Sequence, residues 1–287
     1  MIPIPPDCDR QIRSVIRQCG RQAEQMAAHG FEVFEKGPED YVTNIDAALD
    51  AQLSATFSAL FPADGLITEE NPASRQQFHG PYSRLWCIDP LDGTEDFIRR
   101  RRHYAVMVGL LEHYQPLGGW IYAPASDRLV FGGPHWGLFE TIGDSAPHPL
   151  AIAPFDPTPR PLRLLIGYRD RDQYGPQIKA QFPDTEFLTL GSFGLKVLEV
   201  ITGGADLYVY FNRRVKLWDT VGPLALAQAA GLACCSLEGE AIRFIPAAVD
   251  PVTLAHKQAI LVGHPERIAQ VRSQFITAIH TTAHPST

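Results

Sequence analysis

Apolar residues in the first sixty positions recur at helical spacing. Ile12, Val15, Ile16, Cys19, Ala23, Met26 and Ala27 fall three and four apart, the apolar stripe of a helix that Gly30 is placed to close. Ile45, Leu49, Leu53, Phe57 and Leu60 repeat the pattern behind Thr43 and Asn44, both good N-caps, and Phe61-Pro62 ends it. The pattern then changes to short β-prone runs at 65–68, 84–88, 104–111 and 120–122, the last turning through Ala-Pro-Ala-Ser-Asp into 128–131. Helices followed by strands predict an α+β domain over residues 1–153. Pro154, Pro157, Pro159 and Pro161 crowd a segment that neither a helix nor a central strand tolerates, so 154–161 reads as a linker. Beyond it, strands at 162–166, 207–211 and 259–262 alternate with helical runs near 193–202, 220–230 and 265–280, which predicts an α/β domain over 162–287.

Composition narrows the class without naming a function. A chain of 287 residues, 45% hydrophobic and 20% charged, is globular. At 31.8 kDa it buries about three quarters of its unfolded surface, so it needs no disulfide or metal staple to fold. With 32 acids against 25 bases the net charge is −7, which excludes nonspecific attraction to a nucleic acid polymer or an anionic membrane. No apolar run approaches the ~18 residues of a membrane span, and the opening MIPIPPDCDRQIR lacks the basic-then-apolar order of a secretory leader. Cys8, Cys19, Cys87, Cys234 and Cys235 are odd in number and contain no C-x-x-C pair. They read as small buried hydrophobes in a reducing compartment, and the expected location is cytoplasmic.

The most informative stretch is LWCIDPLDGTEDF, where an apolar strand ends in Asp89-Pro90-Leu91-Asp92-Gly93-Thr94. Pro90 biases Asp89 towards an extended backbone and Gly93 permits a tight turn, so two carboxylates converge with a carbonyl between them. Such hard oxygen donors suit Mg²⁺. Thr94, Glu95 and Asp96 suit the first turn of a helix, whose N–H groups favour a phosphate. Other acids end apolar elements in the same way: Glu69-Glu70 after GLIT, Asp219 after KLW, and Asp40 and Asp46 around the start of the second helix. Singly, each is a cap or a solvated charge; jointly they indicate a metal site. Asp92-Gly93-Thr94 also ends the D-x-D-G-T signature of phosphatases that form an aspartyl-phosphate, but that register puts Pro90 where the nucleophile belongs. Direct attack of a metal-activated water on a phosphate ester is the chemistry that remains.

The set Asp40-Tyr-Val-Thr43-x-x-Asp46, Glu69-Glu70, Asp89-Pro-Leu-Asp92-Gly-Thr94 and Trp218-Asp219 resembles the metal-dependent, lithium-sensitive phosphatases. These comprise inositol monophosphatases, fructose-1,6-bisphosphatases and 3′(2′),5′-bisphosphate nucleotidases of the CysQ type. The resemblance runs over about residues 36–231 and implies the layered α-β-α-β-α sandwich of the sugar-phosphatase type. It implies Glu69, Asp89, the Leu91 carbonyl, Asp92 and Asp219 as ligands of two or three Mg²⁺ ions, with Asp89 bridging two. It makes Asp46 and Thr94 the pair that helps deprotonate the water, with Glu70 supporting that water, and has the Gly93 and Thr94 N–H groups hold phosphate oxygens. Thr68 before the Glu pair and Thr-Val-Gly-Pro after Trp218-Asp219 depart from the family pattern without removing a ligand; Pro223 is expected in the first turn of its helix.

Substrate choice falls to the second domain. Inositol monophosphatases carry G-S-x-x-L-N and a Glu seven residues before the Trp-Asp aspartate. Here Gly191-Ser192-Phe193-Gly194-Leu195-Lys196 ends in Lys, and Asn212 stands at the Glu position. Both changes point away from inositol, and the lysine and the phrase Leu217-Trp218-Asp219-Thr220 resemble the bisphosphate nucleotidases, whereas the TGGAD segment at 202–206 resembles the inositol branch as much as the nucleotidase branch. Ser192, Lys196 and Arg213, within the cationic stretch Asn212-Arg213-Arg214-Val215-Lys216, are the expected contacts of a substrate with a second anionic group. The run Arg99 to Arg102 reads as a solvated face, and His103, without a metal-ligand spacing, takes no role. The resemblance implies hydrolysis of the 3′-phosphate of adenosine 3′,5′-bisphosphate by a monomer or homodimer. The alternatives are an inositol or fructose-1,6-bisphosphate phosphatase of the same fold, or a catalytically silent phosphate-binding regulator. An intact Thr94, Asp46 and Glu70 argue against the last.

Overall fold

The computed structural model describes residues 4–37 and 40–283. Helix α1 (Pro6–His29) buries Ile12, Val15, Ile16, Cys19, Ala23 and Ala27, and Gly30 ends it at φ +96°. A hairpin of β1 (Val33–Gly37) and β2 (Asp40–Thr43) leads into α2 (Asn44–Leu60), whose N-cap Thr43 and third residue Asp46 form a reciprocal capping box. There follow β3 (Gly65–Thr68), a 3₁₀ segment (Pro72–His79), β4 (Arg84–Asp92), α3 (Thr94–Ile98), β5 (Ala105–Glu112), β6 (Gln115–Ala123), β7 (Arg128–Gly133), β8 (Gly137–Ile142) and β9 (His148–Pro149). Residues 154–161 carry no helix or strand. The second half contains β10 (Arg163–Ile166), α4 (Tyr168–Gln181), β11 (Glu186–Leu188), α5 (Phe193–Ile201), β12 (Leu207–Tyr210), α6 (Leu217–Ala229), β13 (Ala233–Cys235), β14 (Ile260–Gly263) and α7 (Pro265–Ala283).

Strands β3 to β9 form one sheet in chain order, antiparallel except for the parallel pair β3 and β4; the other sheet has the order β11-β10-β12-β14-β13. The first sheet is covered on both faces along β3 to β7, where each face reads every second residue, whereas β8 is half-exposed and β9 exposed. Trp86, Ile88, Val106, Val108, Leu110 and Trp120 point to a core shared with α1 and α2. Leu85, Cys87, Ala105, Met107, Leu111 and Ile121 point to a core shared with α5, α6 and the second sheet. A third core lies between the second sheet and α4 with α7. These are the five layers of the α-β-α-β-α sandwich.

One sequence expectation needs correcting, and several elements go unread. The helix expected near 220–230 begins at Leu217, so Pro223 is its seventh residue and not part of its first turn. Helix α4 goes unread in the sequence because YRDRDQYGPQIKAQ has little apolar periodicity and contains Gly175 and Pro176. Strands β1, β2, β8, β9, β11 and β13 also escape the reading, being short or half-exposed.

Candidate active site

The parallel register of β3 on β4 pairs Thr68 with Ile88, so the residues that follow, Glu69 and Asp89, emerge side by side, and the Glu69 N–H donates to the Ile88 carbonyl at 3.1 Å. Asp89 pairs with Met107 and Asp92 with Ala105, so one more residue lies on β4 than on β5. This bulge holds Pro90 and Leu91, and it suits a proline that has no N–H to give the ladder. Asp219 arrives from the other side of the sheet on α6. That helix approaches β5 and β6 so closely that a Cβ on Gly109 would lie 2.4 Å from the Gly222 nitrogen, and one on Gly119 would lie 2.3 Å from the Gly222 oxygen. One turn before this contact, the Asp219 carboxylate accepts from the Lys216 N–H at 2.6 Å, and it faces Glu69 and Asp89. Glu69, Asp89 and Asp219 each offer a carboxylate oxygen within 4.8 Å of the others.

Asp92 lies behind this trio. Its Oδ2 accepts from the Ser192 hydroxyl and from the Gly194 N–H at 3.0 Å, which ties β4 to the start of α5. The Thr94 hydroxyl sits between two acceptors, the Leu91 carbonyl at 3.0 Å and Asp46 Oδ1 at 3.2 Å. The other oxygen of Asp46 is taken by the Thr43 hydroxyl and by the Thr43 N–H at 2.8 Å. Gly93 adopts φ +93°, and a Cβ there would lie 2.7 Å from the His103 carbonyl, so this turn requires glycine.

Burial pushes the carboxyl groups up. Asp89 is raised well above the ordinary carboxylate range by desolvation and then by Glu69, Asp92 and Asp219. Asp219 is pushed up to about 7 by burial, with Lys216 opposing, and Glu70 to about 7 by burial and Glu69, with Lys36 opposing. Burial raises Asp46 and Asp92 as well, against their hydrogen bonds to Thr43 and to Ser192 and Gly194. Clustered buried acids of this kind are costly unless a cation neutralises them. The donors, carboxylates and one carbonyl, are the hard oxygens that a small divalent cation takes. The residues therefore fit a metal.

The expected substrate residues divide. Gly93 and Thr94 lie at the mouth of the turn. Ser192 is fully buried and Lys196 is 5% exposed, so neither offers its side chain to an open surface. The Ser192 hydroxyl is spent on Asp92 and on capping α5 through the Leu195 N–H. The Lys196 ammonium donates to the Gly191 carbonyl at 3.1 Å and lies 5.3 Å from the Tyr208 ring centroid. Its pKa is lowered by burial, against the pull of Asp92, Asp96, Asp170 and Asp219, which makes it the internal counter-charge of the acidic site. Arg213 is exposed in the loop before α6, at φ +57°. The side chain of Asp40 lies outside the described residues. Sequence reasoning missed Lys36, which reaches from β1 to Glu69 at 3.3 Å and to Glu70 at 2.7 Å. It missed Arg75 too, whose guanidinium lies 5.1 Å from the Trp218 ring centroid and donates to the Glu69 carbonyl at 3.4 Å. No local signal marks either contact, because both span separate elements.

Fold and site together define a class, the metal-dependent hydrolases of phosphate monoesters. Within it, the chain matches the Inositol monophosphatase family over residues 9–277 and belongs to that family. It is 28% identical over 213 residues to the 3′(2′),5′-bisphosphate nucleotidase CysQ of Haemophilus influenzae, across 74% of this chain and 78% of that one. It is 23% identical over 275 residues to the inositol-1-monophosphatase of Bacillus subtilis, across 95% and 97%. Thermotoga maritima IMPase shares the fold at a TM-score of 0.77 and 17% identity, across 96% of this chain and 99% of that one. Among the described residues no helix is long and apolar enough to cross a membrane.

Proposed function

We propose that the protein is a Mg²⁺-dependent phosphatase that removes the 3′-phosphate of adenosine 3′,5′-bisphosphate. The observation that carries the substrate choice is Asn212. It stands where an inositol-specific site has a carboxylate, and its Oδ1 is spent on the Arg214 N–H at 3.1 Å in the loop before α6. The inositol-like TGGAD segment carries little weight against this, because its Asp206 is committed to Arg160 and Arg163. Nucleotidase relatives at 26–28% identity support the same reading.

Glu69, Asp89, the Leu91 carbonyl, Asp92 and Asp219 would hold two or three Mg²⁺ ions, which when bound neutralise phosphoryl charge and acidify water. The chain's own groups supply the proton path. Asp46 is oriented by its two bonds from Thr43 and presents its free oxygen to Thr94. The Thr94 proton can pass to that carboxylate while the hydroxyl oxygen takes one from the attacking water. Glu70, held by Lys36, follows Glu69 in the chain and would support the water. The Gly93 and Thr94 N–H groups, in a turn only glycine can make, orient the phosphate oxygens. We take residues 1–153 and 162–287 as the two domains that meet at this site. All five cysteines are free, as suits a reducing cytoplasm.

Phosphate release with Mg²⁺ from adenosine 3′,5′-bisphosphate, inositol-1-phosphate and fructose-1,6-bisphosphate tests the assignment. The nucleotide is expected to give the highest kcat/KM. An equal or higher value on either sugar phosphate would overturn the substrate claim and leave the inositol or sugar phosphatase reading.

A further inference from the structure

We infer that Arg101, braced by Tyr168 and joined by Arg171, binds the second phosphate of the substrate and so sets the preference of the site for a bisphosphate over a monophosphate. This inference rests on the bisphosphate reading above and deepens it.

The basic run after α3 is not the uniformly solvated face that its sequence indicates. Arg99 pairs with Glu95, Arg100 donates to the Ala27 carbonyl, and Arg102 donates to the Ala125 carbonyl. Arg101 instead reaches Asp96 and the first residue of α4. Its Nη1 donates to Asp96 Oδ1 and to the Tyr168 hydroxyl, both at 2.9 Å. Asp96 is 1% exposed, and its second oxygen accepts the Gly191 N–H at 2.9 Å. Gly191 is followed by Ser192, whose N–H donates to the His103 carbonyl at 3.1 Å, and that carbonyl is the atom packed against Gly93. One buried carboxylate thus separates the Arg101 guanidinium from the loop that touches the Gly93 turn.

Donor geometry points the same way. Nη1 carries both contacts of Arg101, so Nε and Nη2 form an edge with no protein acceptor among the described residues, and the side chain is 38% exposed. A guanidinium edge with two free N–H groups matches two oxygens of a phosphate. Arg101 and Arg171 each lie 5.5 Å from the centroid of the Tyr168 ring, so one ring carries a cation from the loop after α3 and one from α4, the latter also 3.7 Å from Asp172. Lys196, the cation that the sequence puts forward for this task, is buried with its ammonium turned to Gly191 and Tyr208. The outward positive charge on this wall is that of the arginines.

The test compares kcat/KM for adenosine 3′,5′-bisphosphate with that for 3′-AMP, which lacks the second phosphate, in wild type, Arg101→Gln and Arg101→Lys. The wild-type ratio above unity tests the bisphosphate reading, and the change in that ratio tests Arg101. Arg101→Gln is expected to lower the ratio at least about tenfold, through KM, and Arg101→Lys to restore part of it. Arg171→Gln, which leaves the bond from Arg101 to Asp96 in place, is expected to lower the ratio in the same direction by a smaller factor. A ratio that Arg101→Gln leaves unchanged, whether both substrates suffer or neither does, overturns the inference while the bisphosphate reading stands. A wild-type ratio near unity overturns both.

Discussion

Ser192 has one oxygen and two duties: it donates to Asp92 and accepts the Leu195 N–H that starts α5. A partner that orients a ligating carboxylate tunes metal affinity more than chemistry. Ser192→Ala is therefore expected to weaken Mg²⁺ activation about 10–100-fold, with most of the turnover recovered at saturating Mg²⁺. Loss of the cap should also cost about 1 kcal/mol of stability. A Mg²⁺ titration of turnover, read beside thermal unfolding, separates the two effects; an unchanged activation constant would show that the Ser192 bond does not set the metal affinity of Asp92. Glu69, Asp89 and Asp219, the acids that the fold brings together, stand out in the sequence because each lies at the end of an apolar element, and a strand or helix end is where a carboxylate meets both core and cleft. The roles of Ser192 and Lys196 are not legible in the same way. Whether a polar side chain in GSFGLK faces the substrate or the underside of the site depends on how α5 rolls against the first sheet, and the motif carries no record of that.

Helix α6 has little room to move. Its Gly222 lies against β5 and β6, and a Cβ there would be 2.7 Å from the Val108 carbonyl and 3.3 Å from the Gly109 Cα. Backbone cannot yield as a flexible side chain does, so Gly222→Ala must lift the helix. An overpacking cost of about 1–3 kcal/mol is expected as a lower unfolding temperature. Asp219, one turn away, moves with the helix, so kcat should fall along with stability, and wild-type kcat in a destabilised Gly222→Ala protein would show that α6 does not set the position of Asp219. Helices α1 and α2 and strand β3 were readable from caps and periodicity alone, and Gly65–Thr68 appears with the expected bounds. Helix α4 was not, because it buries only Asp170, Gly175 and Ile178 and is held by its packing against α7 and the second sheet. The β1-β2 hairpin is mostly exposed, so nothing in its own pattern announces the Lys36 contacts that bring it over the site.

Over the whole molecule, the response to pH depends on the metal. Without it, Asp219 and Glu70 stand at about 7 instead of their ordinary 3.8 and 4.5, so the folded chain binds more protons than the unfolded one across that interval. Stability from these groups is present below the unfolded pKa and lost as pH rises through the folded value. His256 acts in the opposite sense. It is buried, its Nε2 is 2.8 Å from the Thr220 hydroxyl, and its Nδ1 has no partner among the described residues to receive a second proton's N–H. Burial lowers its pKa from 6.5 to about 4, so its contribution is complete above 6.5 and is lost as pH falls towards 4. That loss is worth on the order of 3 kcal/mol in the acid limit. A divalent cation binds the deprotonated carboxylates and cancels the first dependence without touching the second. Mg²⁺ should therefore raise the unfolding temperature more at about pH 8 than at about pH 5. With Mg²⁺ present, the remaining acid lability should shrink in His256→Gln. An Mg²⁺ stabilisation independent of pH would mean that the acids of the site are already ionised in the metal-free fold, and the raised values of Asp219 and Glu70 would have to be abandoned.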